Sequence, residues 1–86
     1  RPALVLISAT FDVTVAFITS KVIKQEPDDL EIMPDKQNGL KVDSLVKLNK
    51  LATIDKGLAL GKLGNLSVSE LKQVDMKLLS VFAIKV

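Results

Sequence analysis

The densest hydrophobic patterning lies in residues 44–67. Two apolar runs, 44–51 and 58–63, flank a polar elbow at 52–57. Read with strand alternation, Val46, Leu48 and Lys50 share one face of the first run, and Leu45, Lys47, Asn49 and Leu51 share the other. Residues 58–63 repeat the theme and predict a further strand. Gly64-Asn65 breaks the pattern. Ser67-Val68-Ser69-Glu70 is then a capping box, with Leu66 and Leu71 as its hydrophobic staple. Leu71, Val74, Leu78, Val81 and Phe82 follow at helical spacing, which predicts a helix over residues 68–83 with one apolar stripe.

Upstream, the pattern is that of strands. Residues 3–10, ALVLISAT, hold a continuous apolar run bounded by polar residues, the mark of a strand buried on both faces. The chain begins on that run with no lead-in, so about twenty further residues are expected upstream, a strand among them. Residues 12–19 are rich in β-branched side chains, with Val13, Val15 and Phe17 on one face. The short link between the two runs predicts a hairpin. Pro27 and Pro34 bracket residues 28–33, where Leu30 and Ile32 would share one face of a short edge strand. The carboxylates around them discourage edge-to-edge pairing. Gln37-Asn38-Gly39 is a turn signal, and Leu40-Lys41-Val42-Asp43 alternates into the patterned stretch. The whole predicts one mainly β domain over residues 1–86, closed by a C-terminal helix.

Composition narrows the chemistry. The 86 residues contain no His, Cys, Tyr or Trp. This excludes imidazole acid–base pairs, Ser-His-Asp triads and zinc sites built on His or Cys. Catalysis would fall to Arg, Lys, Asp, Glu, Ser or Thr. The net charge is only +2, but it is split. Residues 25–35 carry Glu26, Asp28, Asp29, Glu31 and Asp35 with no base. Residues 41–62 carry Lys41, Lys47, Lys50, Lys56 and Lys62 against Asp43 and Asp55. Such a split can steer a polyanion, or it can be a solvated surface that happens to segregate. No apolar run approaches the ~18 residues of a membrane span, so none is expected. The three Phe are expected in the core rather than as platforms for stacked bases.

Four segments stand in order: Arg1-Pro2-Ala3-Leu4-Val5-Leu6; Ile18-Thr19-Ser20; residues 48–56, LNKLATIDK; and residues 62–67, KLGNLS. Together they resemble the MazF/PemK-type toxins of bacterial toxin–antitoxin systems. The resemblance implies an SH3-like small β-barrel with a C-terminal α-helix, and a cytoplasmic homodimer. It also implies cleavage of single-stranded RNA without a metal or other cofactor, restrained by an antitoxin protein.

The family's catalytic Arg falls on Arg1 and its catalytic Thr on Thr19. An Arg can stabilise a phosphorane through a bidentate fork, and a Thr hydroxyl can hydrogen-bond a phosphate oxygen. Ser20, Lys47, Asn49, Lys50 and Lys56 are the candidate RNA-binding residues. Taken without the resemblance, the lysines and Asn49 are most simply a polar sheet face. Many members carry a carboxylate and an Arg where this chain has Asn49 and Ala52. Asn cannot act as a base, and Ala offers a phosphate nothing. The alternative function is therefore a catalytically degenerate barrel that binds a protein, either an antitoxin or a gyrase-type partner.

Overall fold

The structure is a computed structural model and describes residues 2–20, 22–59 and 61–83. Four strands and one helix make it up: β1 (Ala3–Ser8), β2 (Asp12–Thr19), β3 (Asp29–Ile32), β4 (Ser44–Asp55) and α1 (Val68–Val81). Single turns of 3-10 helix lie at Val22–Lys24 and Lys56–Leu58. The strands form one antiparallel sheet in the order β1-β2-β4-β3. The sheet curls into a half-barrel with α1 against it, mainly β with one C-terminal helix as the patterning predicts.

The order has one non-local step. The β1–β2 hairpin forms as expected, its tip closed by the Ala9 amide donating to the Asp12 carbonyl at 2.9 Å. β3 then lands beyond β4 rather than beside β2. The later strand β4 slots between them, antiparallel to both, with Thr19 opposite Leu45. This brings the end of β2 against the start of β4.

The core joins Ala16, Leu30, Ile32, Val46, Leu48 and Val74, with Leu4, Leu6, Ile18, Leu78 and Val81 packed around it. β3 is the short edge strand expected, with Leu30 and Ile32 turned inward and Glu31 outward. α1 begins at the predicted residue. The Ser67 hydroxyl accepts from the Glu70 amide at 3.1 Å, and the Glu70 carboxylate accepts from the Ser67 amide at 2.9 Å. The helix ends at Val81, short of residue 83. Phe82 caps it, and Ala83 takes a left-handed φ of 53° that no α-helix continues.

Other expectations are corrected. β1 is an edge strand, not one buried on both faces: Leu4 and Leu6 point to the core while Val5 and Ile7 remain 54% and 61% exposed. Only β2 pairs with it, so its other edge finds no strand among the described residues. The elbow at 52–57 is largely strand, because β2 pairs across it: Val15 with Ala52, Thr14 with Thr53 and Val13 with Ile54. Among the described residues, 58, 59 and 61–63 form no strand, nor do 40–43. The three Phe lie on the surface, with Phe11 77%, Phe17 41% and Phe82 55% exposed. Phe11 sits at the hairpin tip, Phe82 at the helix cap, and Phe17 between the core-facing Ala16 and Ile18.

Candidate active site

Pro2, Thr19, Ser20, Lys41 and Ser44 line one cavity of about 410 Å³. Its position follows from the sheet order. β2 ends at Thr19, where register places it against Leu45, one residue after the start of β4. The Ile18 amide donates to the Pro2 carbonyl at 3.2 Å, which keeps the start of the chain beside the end of β2. The loop entering β4 supplies the remaining wall. Ile18, Leu40, Val42 and Leu63 make that wall aliphatic, while the polar groups are the Thr19 and Ser20 hydroxyls, Ser44 and Lys41.

The structure thus brings Thr19 and Ser20 together with Pro2. The expected catalytic Arg1 lies outside the described residues. Thr19 is half-buried and Ser20 exposed.

The other expected site residues disperse. Lys47 is not on a polar sheet face. Its ammonium donates to Asp29 Oδ2 at 2.6 Å and to Glu26 Oε1 at 2.9 Å, and its side chain is 11% exposed beside a fully buried Asp29. Lys47 and Asp29 are cross-strand partners. The hydrogen bond to Asp29 is the main cause holding the Lys47 pKa above its ordinary value, with Glu26 adding to it and burial opposing it. An ammonium so held is not available to a phosphate. The turn Glu26-Pro27-Asp28-Asp29, with Pro27 at its favoured second position, presents both carboxylates. The Glu26 amide donates to Asp29 Oδ2, and Lys77 of α1 donates to the Pro27 carbonyl.

Asn49 and Lys50 are exposed, in a register shift where residues 47–50 of β4 stand opposite Phe17 of β2. Of the expected pair, Lys47 is buried and Asn49 exposed, so the two do not present one polar patch. Lys56 lies past the far end of β4, beyond the Asp12–Asp55 pair. The seven steps of β2 from Asp12 to Thr19 put that end of the sheet roughly 23 Å from Thr19. Lys41 and Ser44 were not among the expected site residues. The signal for them was faint: a lysine just after an Asn-Gly turn, ahead of a strand whose partner the sequence does not name. Among the described residues, no three acidic side chains gather as a metal site, and no helix is long and apolar enough to cross a membrane.

Comparison with known proteins gives this corner its context. Residues 1–82 match the model of a family described as PemK-like, MazF-like toxin of type II toxin–antitoxin system. The structure titled Mycobacterium tuberculosis toxin MazF-mt6 superposes with a TM-score of 0.87, over 100% of this chain and 89% of its own, at 24% sequence identity. A second structure, titled as an Mtb toxin, gives 0.83 over 95% and 92% of the two chains at 26% identity. No curated protein matches the chain. The family match spans every strand, the helix and the cavity between the start of β1, the end of β2 and the start of β4; the chain belongs to the PemK-like, MazF-like toxins of type II toxin–antitoxin systems.

Proposed function

We propose that this chain cleaves single-stranded RNA in the cavity beside Thr19, using the RNA's own 2′-hydroxyl as nucleophile. Family membership makes it a toxin endoribonuclease of a toxin–antitoxin system, with an antitoxin as partner. The observation that carries the mechanism is the meeting of Pro2, Thr19 and Ser20 at one cavity, since Arg1 is bonded directly to Pro2.

In the proposed step the 2′-oxygen bonds to the adjacent phosphorus and the P–O5′ bond breaks. The 2′-hydroxyl proton leaves to solvent, and the 5′-oxygen takes a proton from water. The products are a 2′,3′-cyclic phosphate and a 5′-hydroxyl. Arg1 stabilises the charge of the pentavalent phosphate, and Thr19 positions a non-bridging oxygen. Ser20 holds the neighbouring sugar or phosphate. Asn49 and Lys50 contact the RNA beyond the cavity, and Lys56 contacts a more distant part of the strand. Lys47 is omitted because its ion pairs occupy it. The reading includes a homodimer working in the cytoplasm.

The test is cleavage of a fluorogenic single-stranded RNA in EDTA. A 2′-deoxy sugar at the cleavage point should block the reaction. Arg1→Ala should slow it roughly 10²–10³-fold, the usual cost of losing one preorganised charge donor. If Arg1→Ala cleaves as fast as the parent, the catalytic assignment fails. The protein-binding reading favoured by Asn49 and Ala52 then takes its place.

A further inference from the structure

We propose that Lys41 is a phosphate-binding residue of this toxin, holding a phosphodiester next to the scissile one, and that Ser44 positions the loop that carries it. The inference rests on the RNA-cleavage reading of the same cavity and adds a residue to it.

Among the described residues lining the cavity, Lys41 is the only charged side chain. It is exposed and makes no ion pair with another described residue, in contrast to Lys47. It shares the cavity with the Thr19 and Ser20 hydroxyls, whereas Lys56 lies at the opposite end of the sheet.

The loop carrying Lys41 is pinned on both sides. Before it stands Asn38, which is buried and fully engaged. Its Nδ2 donates to the Met33 carbonyl at 2.8 Å, and its Oδ1 accepts from the amides of Asp35 and Leu40. Its own amide donates to Asp35 Oδ1 at 2.6 Å. Gly39 takes a φ of +69° and packs its α-carbon on the Leu63 carbonyl, where a Cβ would collide. Gly64 lies as tightly on the backbone of Gln37 and Asn38, and the Asn65 amide donates to the Gln37 carbonyl at 2.8 Å. After Lys41, the Ser44 hydroxyl donates to the Val42 carbonyl at 2.9 Å. Ser44 has therefore committed its proton to the loop and acts on a ligand only through Lys41.

A cation on so fixed a backbone leaves only its own side chain to be ordered when a phosphate binds. Lysine brings a point charge and three donors rather than a planar fork. It can hold a non-bridging oxygen without dictating the phosphate's orientation, which suits holding the strand more than stabilising the transition state. The aliphatic wall of Leu40, Val42 and Leu63 gives the adjoining nucleoside a surface that fits by shape.

The experiment compares the parent with Lys41→Gln, Lys41→Met and Lys41→Arg. Binding of a mixed-sequence 2′-O-methyl oligonucleotide, which cannot be cleaved, is followed by fluorescence anisotropy across a salt series. Both neutral variants should lower the slope of log affinity against log salt by about 0.7, the contribution of one phosphate contact on a single strand. Lys41→Arg should keep the parent slope. In cleavage assays the neutral variants should raise KM with kcat unchanged. Parent slope and KM in both neutral variants would overturn the role of Lys41 while leaving the ribonuclease reading intact. Loss of slope in Lys41→Arg as well would also overturn it, since charge would not be what matters. A parent that neither binds nor cleaves RNA would overturn both.

Discussion

Lys47 and Lys41 are six residues apart in one lysine-bearing stretch; Lys47, the expected RNA-binding residue, is ion-paired, while Lys41, not expected there, lines the cavity. Lys47 is drawn into the sheet because β3 sets Asp29 directly across from it. Removing it strands a buried carboxylate whose second oxygen, Oδ1, already has no hydrogen-bond partner among the described residues. Lys47→Ala should therefore cost about 3–5 kcal/mol in urea unfolding, while Lys47→Met with Asp29→Leu should recover most of the loss. The pair also gives stability an alkaline limit. The folded pKa of Lys47 lies above the unfolded value of 10.5. Its contribution is complete below 10.5 and fades as pH rises through the folded pKa. Urea melts at neutral pH and above 10.5 should show that fading in the parent and not in the double variant. A parent whose stability is flat across that range would refute the assignment.

Among the elements, α1 was legible almost in full. Capping box and stripe are local signals separated by three or four residues; the box forms at Ser67 and Glu70, and Val74, Leu78 and Val81 of the stripe meet the core, while Leu71 and Phe82 stay 45% and 55% exposed. Ser67→Ala removes the bond to the Glu70 amide and should cost about 1 kcal/mol. That would appear as a lower urea midpoint with an unchanged m-value; a changed m-value would point to a different defect. The β1–β2 hairpin and the short β3 were also readable, from β-branched runs and flanking turn residues. β4 was half-readable. Its apolar first part showed, but Thr53 and Asp55 looked like an elbow because their strand conformation comes from pairing with β2. The strand expected at 58–63 is absent from the described residues there for a related reason. Its apolar residues had no ladder to join, and instead Leu63 and Gly64 close against the turn at Gly39.

For the whole molecule, surface is the informative quantity. The chain exposes 6286 Å². A folded monomer of its 9.3 kDa is expected to expose roughly 5000 Å². The excess, roughly 1300 Å², exceeds the roughly 800 Å² that each partner contributes to an interface of standard size. Large apolar side chains are exposed on β1, at Val5 and Ile7, on α1, at Val68, Met76 and Leu79, and at Phe82 beyond it. Sedimentation equilibrium at micromolar concentration should accordingly give twice the 9.3 kDa mass of this chain. A monomer there would count against the homodimer.

Local chemistry determined a great deal from sequence alone: the hairpin, the edge strand with its two inward residues, the capped helix, and a set of candidate chemical groups without imidazole or thiol. Those features depend on neighbours a few residues away, which the sequence places by itself. The candidate site was less legible because it depends on which strand β2 meets. β4 pairs directly with β2 although β3 comes between them along the chain, and that choice sets Thr19 beside the loop of Lys41 and Ser44. The same pairing places Lys56 at the opposite end, while β3, on the other side of β4, turns Lys47 inward to Asp29. Spacing along the chain cannot distinguish a lysine that faces a carboxylate from one that faces a cavity. The strand order does, because register fixes which side chains lie within reach of one another.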